Sequence, residues 1–233
     1  MIMTEILKLT PRLRAAAELV REGAFIADVG TDHAYLPIAL CLEGKIRGGV
    51  ASDINDGPIL RARENINKYG LSDRLCALRT DGLDGIEAYR PDHVMILGMG
   101  GELIARILGD APWTKDGSIR LCLQPMTHPE KLRAFLAKNG YRITDERIVV
   151  EEKENKIYQI IAANYSGEAQ SLTDEELLLG RINIRRGGDE LLRLASQYEN
   201  ALKRRVDGKR EAGADVGEEL RLIERIRAAV KGK

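Results

Sequence analysis

Ten consecutive residues, Asp28-Val-Gly30-Thr-Asp32-His33-Ala34-Tyr35-Leu36-Pro37, hold two carboxylates, an imidazole, a phenol and a glycine. A short apolar run, Phe25–Gly30, leads into them, and helical spacing resumes at Pro37. The chain therefore turns from strand to helix here. Gly30 allows a ligand close to the backbone, and the helix start offers free N–H groups to a carboxylate. A dinucleotide turn would carry G-x-G-x-x-G for its pyrophosphate. In this chain Asp32 stands at the second glycine and none stands at the third. An acid repels a pyrophosphate but attracts a sulfonium and an amino group. S-adenosyl-L-methionine carries both.

Two further acids extend the pattern. Asp53 ends the next strand, 25 residues after Asp28, where a carboxylate accepts both hydroxyls of a ribose. Ile54 follows it. Asp81-Gly82-Leu83 follows the third strand, where a carboxylate can accept from an adenine amino group. The fourth strand runs into Leu97-Gly98-Met99-Gly100-Gly101, where methyltransferases of exocyclic amines often carry Asn/Asp-Pro-Pro-Tyr/Phe. Glycines strip that rim and leave room for a flat ring. Gln124-Pro125, after the fifth strand, adds a neutral amide at the same rim. The expected cofactor-binding set is Asp28, Gly30, Asp32, His33, Asp53, Ile54, Asp81, Gly82, Gly98, Met99 and Gly100.

The elements that must position these groups alternate. Strands are expected at Phe25–Gly30, Gly48–Asp53, Leu75–Asp81, His93–Gly98 and Ile119–Pro125. Helices are expected at Arg12–Glu22 (Thr10 capping, Pro11 first), Pro37–Glu43, Pro58–Tyr69, Gly101–Leu108 and Pro129–Lys138. YRITDERIVVEE and KIYQIIAANY read as a closing hairpin turning at Glu152–Asn155. This order implies an α/β fold, a mostly parallel doubly wound sheet of seven strands. Beyond about residue 166 no strand candidate remains, so the expected division is 1–166 and 167–233. Leu191–Val206 and Leu220–Val230 have helical apolar spacing, Gly187-Gly188 should interrupt the helix before them, and Asp207–Gly217 reads as the loop between them. Two such helices should pack as an antiparallel, coiled-coil-like α-helical hairpin.

Composition bounds the classes. The chain has 233 residues, 44% hydrophobic and 31% charged, with 36 basic and 36 acidic side chains. That is globular composition, and zero net charge neither demands nor forbids a nucleic acid. No run approaches the ~18 apolar residues of a membrane span, and MIMTEILKLTPRLR does not read as a secretory signal, so the expectation is cytoplasmic. Cys41, Cys76 and Cys122 are widely spaced in apolar surroundings, so buried thiols are expected, with no metal site and no disulfide. Lys8, Arg12, Arg14 and Arg21 could line the first helix as a phosphate-contacting strip, and His128 reads as a surface residue.

DVGTDHAYLP, ASDIN, TDGL, ILGMGGELI, LQP and KIYQI together resemble the bacterial tRNA (adenine-22-N1)-methyltransferases, over roughly Leu9–Asn164. The C-terminal hairpin is similar in architecture to that family's coiled-coil domain. The resemblance implies S-adenosyl-L-methionine as cofactor, tRNA as partner and N1 of adenine as the methylated atom. For that reaction the catalytic candidates in the cleft are Tyr35, Asp32 and His33 with the Gly98–Gly101 backbone, and Tyr35 is the choice for stacking on or hydrogen bonding to the target base. The family often has Asn after its Gln-Pro; Met126 stands there, and no role carries over. A monomer is expected, with the hairpin as the surface for any dimer. The residues themselves leave two rivals open: a methyltransferase acting on a small molecule or another RNA, and a non-catalytic cofactor-binding interaction protein.

Overall fold

A computed structural model describes residues 7–233, with the side chain of residue 153 not described. The first element among the described residues is α1 (Pro11–Glu18), whose Thr10 Oγ accepts from the Leu13 N–H. There follow β1 (Ala24–Val29), α2 (Tyr35–Leu42), β2 (Ile46–Asp53), α3 (Asp56–Lys68), β3 (Leu75–Arg79), β4 (His93–Gly100), α4 (Gly101–Gly109), β5 (Arg120–Thr127) and α5 (Pro129–Lys138). The hairpin β6 (Tyr141–Glu151) and β7 (Lys156–Tyr165) closes the sheet. Its order is β3-β2-β1-β4-β5-β7-β6, parallel from β3 to β5, with β7 antiparallel to both β5 and β6. This is the expected doubly wound, Rossmann-like sheet of seven strands.

Helices cover both faces, which is why the central strands are mostly apolar. Ala16, Leu36, Ile38, Leu40 and Ile66 form one core layer against Ile26 and Met95. Ile104, Leu108, Leu132 and Leu136 form the other, against Val94, Ile96 and Leu121. The order reverses at β1 and β4, so their carboxyl ends open the crevice in which such sheets bind ligands. Among the described residues, no helix is long and apolar enough to cross a membrane. All three cysteines are free; Cys41 and Cys122 are buried, and Cys76 is half-buried.

The helical segment has four members: α6 (Asp174–Leu179), α7 (Arg181–Arg186), α8 (Asp189–Glu211) and α9 (Gly217–Val230). Sequence patterning missed α6, although Thr173 and Glu176 form its capping box. Gly187 and Gly188 do separate α7 from α8, at φ +72° and +100°. The expected Asp207–Gly217 loop is corrected: α8 continues to Glu211, and only residues 212–216 turn. An exposed glycine inside a long helix costs only about 1 kcal/mol, so Gly208 does not end it. Left-handed Gly213, φ +69°, does. Lys209 pairs with Glu219 at 2.6 Å and Arg227 with Glu199, which sets α8 and α9 antiparallel. Leu194, Leu202, Val206, Ile223 and Ile226 fill the seam.

The helices are fastened to the sheet by buried polar bonds. Arg133 of α5 and Glu146 of β6 have fully buried side chains and meet at 2.7 Å. Arg133 also donates to the Leu177 carbonyl and to Gln159 of β7, whose amide donates to the Tyr198 hydroxyl of α8. Glu146 accepts from the Ile182 N–H at 2.8 Å. A side chain on Gly180 would stand 2.4 Å from Glu146 Oε1, so that position admits only glycine.

Candidate active site

Asp28, the fifth residue of β1, lies between β2 and β4, paired in register with Ala51 and Met95. It is 7% exposed. Burial pushes its carboxyl up to about 6, against the opposing pull of the Thr31 hydroxyl. Beyond the strand, the Gly30 and Thr31 N–H groups both donate to the Ser52 carbonyl. Gly30 has φ +76°, and a Cβ there would stand 2.1 Å from Met99 Cε. Met99 thus reaches from β4 into the space a side chain at position 30 would need. Thr31 Oγ accepts from the Ala34 N–H at 3.1 Å and holds Ala34 left-handed at φ +56°. This turn starts α2.

The next residues line the mouth. Asp32 receives Arg61 at 2.7 Å and His33 at 3.1 Å. His33 stacks on Tyr35 with ring centroids 4.8 Å apart and 9° between planes. Asn65 fixes the loop by donating to the His33 carbonyl. Tyr35 is 42% exposed, so it presents an aromatic surface to solvent and is not a core residue. Arg61 and Asn65 are four residues apart on α3 and so share a face. That spacing was visible in the sequence, but the loop it reaches was not.

A cavity of about 150 Å³ brings Asp28, Gly30, Asp32, His33, Tyr35 and Gly98 together with Arg12. Gly98 has φ +86° and leaves the cavity wall bare. Asp81 and Gly82 lie elsewhere, in a cavity of about 460 Å³ with Arg106, Asp110 and Trp113. Asp53, Ile54, Met99 and Gly100 line neither cavity. Asp53 Oδ1 accepts from both the backbone and the amide of Asn55, and Ile54 is exposed. Gly100 caps α4. Gly101 serves packing: a Cβ there would meet the His128 carbonyl oxygen at 2.2 Å.

Two expectations are corrected. Gln124 is no rim group but fully buried, its amide N donating to the Pro125 carbonyl and its oxygen accepting from Arg12 at 2.6 Å. The basic strip on α1 does not exist as a strip. Arg14 pairs with Glu43 at 2.7 Å, and Arg21 donates to His93 and to the Ser118 carbonyl at the amino ends of β4 and β5, away from the cleft. Only Arg12 of the four lines the cleft. Sequence reading missed its distinctness, because the partner that orients it is 112 positions away. His128 is exposed, as expected. Among the described residues no cluster suited to a metal ion occurs.

Residues 9–161 match the methyltransferase domain family. The chain is 41% identical, over 157 residues, to the Bacillus subtilis tRNA (adenine(22)-N(1))-methyltransferase, covering 67% of this chain and 65% of that protein. It thus aligns with just under two thirds of that relative's length. In structure it is similar to the crystal structure of the B. subtilis m1A22 tRNA methyltransferase TrmK, with TM-score 0.87, 32% identity, and 97% and 100% of the two chains covered. It is also similar to a Streptococcus pneumoniae protein in complex with S-adenosyl-L-methionine, with TM-score 0.84, 27% identity, and 96% and 100% covered.

Proposed function

Because this chain belongs to the methyltransferase-domain family and, within it, to the bacterial tRNA (adenine-22-N1)-methyltransferases, we propose that it methylates N1 of adenine 22 in tRNA. The methyl donor is S-adenosyl-L-methionine. The observation that carries the reading is the 41% identity to a methyltransferase of that specificity. The cleft suits the donor on its own terms. Asp28 is a buried carboxylate without an ion-pair partner among the described residues, and Gly98 leaves the cavity wall they share bare.

When bound, the cofactor supplies a methyl group on a cationic sulfur. The residues assigned to hold it are Asp28, Gly30, Asp32, His33, Asp53, Ile54, Asp81, Gly82, Gly98, Met99 and Gly100. Asp53 takes the ribose hydroxyls and Asp81 the adenine amino group. Adenine N1 carries its own in-plane lone pair, so no strong base is needed. The protein's work is alignment, which can lower a barrier by several kcal/mol. Tyr35, steadied by His33, stacks on the target base after that base leaves its helix. The ring becomes cationic on methylation, and Asp32 beside His33 favours the charge that develops.

We divide the chain into a cofactor-binding part, 1–166, and a helical part, 167–233, and place the protein in the cytoplasm with its tRNA substrate. We take it to act as a monomer, since the apolar seam of α8 and α9 is filled from within the chain. The test is methyl transfer from labelled S-adenosyl-L-methionine to unmodified tRNA, followed by nucleoside analysis. Formation of 1-methyladenosine, abolished by Asp53→Ala, is the expected result. Tight cofactor binding with no transfer to any tRNA would overturn the substrate assignment and leave the cofactor assignment standing.

A further inference from the structure

At the amino ends of the central strands, away from the cleft, stands a group of donors and cations that the methyl-transfer reading does not use. His93 opens β4, and Arg120, its register partner, opens β5. Partners in a parallel pair turn their side chains to the same face of the sheet. That face is the one beneath α1. Cys122, two residues past Arg120, donates its thiol to the Ala16 carbonyl, and Met95, two past His93, packs in the same core layer as Ala16. His93 is fully buried. Its Nε2 accepts from the Arg21 side chain at 3.0 Å and from the Arg21 N–H at 3.4 Å, so the neutral ring carries its proton on Nδ1. Burial, with Arg21 and Arg120 close by, keeps the ring neutral and pushes its pKa down to about 4. Among the described residues the Nδ1 of His93 has no partner, and neither has the buried Nε of Arg120.

The charges around the ring are one-sided. Arg21 directs its fork to two neutral acceptors, His93 and the Ser118 carbonyl, and Arg120 has no ion-pair partner among the described residues. Lys45, the third cation bearing on His93, donates to the Ala17 carbonyl. Asp92 is the one carboxylate bearing on it, and that group is taken by the Phe25 N–H at 2.7 Å and by Arg47 at 2.5 Å. A buried N–H without an acceptor is costly, and so is a buried charge without a counter-charge. Water would meet the donors and leave the charges uncompensated, whereas an anion meets both. We propose that a chloride-sized inorganic anion binds here, accepting from His93 Nδ1–H and Arg120 Nε–H, with Arg21 and Lys45 as the surrounding positive charge. A phosphate of bound RNA does not suit the place, because His93 is enclosed and lies at the strand ends opposite the cleft. A halide accepts N–H groups from any direction and so suits two single donors on neighbouring strands. An oxyanion favours the paired donors of one guanidinium fork. Bound there, the anion ties the residues that follow α1 to the starts of β4 and β5.

Exchange of salts at constant ionic strength tests this on the full chain, with neither cofactor nor tRNA present. Thermal unfolding is followed by circular dichroism at pH 7 while sodium gluconate is replaced by sodium chloride, with sodium phosphate as a third arm. Wild type should melt a few degrees higher in chloride, and the gain should follow the logarithm of chloride once the site is filled, as for a ligand that binds only the folded chain. Phosphate should give less. Arg120→Met keeps an unbranched stem and removes donor and charge, so it should melt alike in all three salts. A second measurement needs no variant: the His93 Nδ1–H proton resonance should move with chloride, with the midpoint found by melting, and stay fixed in gluconate. A wild type that melts alike in chloride and gluconate overturns the proposal. An Arg120→Met protein with the full wild-type gain does so too, since the gain then comes from screening elsewhere. A His93 resonance indifferent to chloride means that water meets the two donors, and a larger gain in phosphate than in chloride rules out the monatomic ion; either result overturns it.

Discussion

At the scale of single residues, the cleft depends on a carboxylate in an unfavourable place. Asp28 is buried on a central strand, and desolvation raises its pKa to about 6. Below that pH the free protein holds the group neutral, and the cofactor's ammonium, which the cofactor assignment sets against this acid, loses its charged partner. Affinity for S-adenosylhomocysteine should therefore be level above about pH 7 and fall as pH drops through about 6. Asp28→Asn should bind at least tenfold more weakly and lose that dependence, measured by titration from pH 5 to 8. A wild-type affinity flat across the range would remove Asp28 from contact with the ammonium. The acid was legible in the sequence because its type and its place at a strand end are local facts. The role of Gln124 was not. Its burial and its bond to Arg12 depend on how β5 packs beside α1, which no local pattern encodes.

At the scale of elements, the parallel strands and their helices were legible because apolar runs and caps repeat locally. The α8–α9 hairpin was legible in its seam but not in its length, because Asp207-Gly208 has the composition of a turn. Ion pairs across the two helices carry what composition could not show. Arg227 and Lys203 pull the Glu199 carboxyl down to about 2, and Lys209 lowers that of Glu219. A carboxyl whose folded pKa is depressed stabilises the fold above its unfolded value and loses that contribution as pH falls through the folded one. For Glu199 the window runs from about 4.5 down to about 2. The hairpin should therefore loosen over that range. Its pairs are partly solvated and screened by water, so the effect is modest. Glu199→Gln should be less stable at pH 7 and less sensitive to acid, as read by helical circular dichroism in urea at pH 3 and 7. Equal acid sensitivity in the two proteins would mean that other carboxylates govern the loss.

At the scale of the whole molecule, the question is how the helical segment is held to the sheet that carries the cleft. Composition divides the chain at about residue 166 and shows no tie between the two parts. The structure instead drives Arg133 and Glu146 into a shared interior, where together they bind α6, α7, β7 and, through Gln159, α8. Ile148 and Ile157 of the β6–β7 hairpin pack into the same apolar cluster as Leu191 and Leu194. Breaking a buried pair by removing one partner leaves the other charge uncompensated and costs about 3–5 kcal/mol. For a chain of this size that corresponds to a melting point lower by roughly 6–20 °C. Arg133→Met should show this loss, and adding Glu146→Leu should recover much of it, because the stranded carboxylate goes with it. The same variant should speed amide hydrogen exchange in both α6–α7 and β6, since each is anchored through the other. An Arg133→Met protein that melts with the wild type, or that opens α6–α7 while β6 stays protected, would mean that the apolar cluster alone joins the two parts. The pair would then owe its burial to packing, and the apolar cluster would set where the helices sit on the sheet.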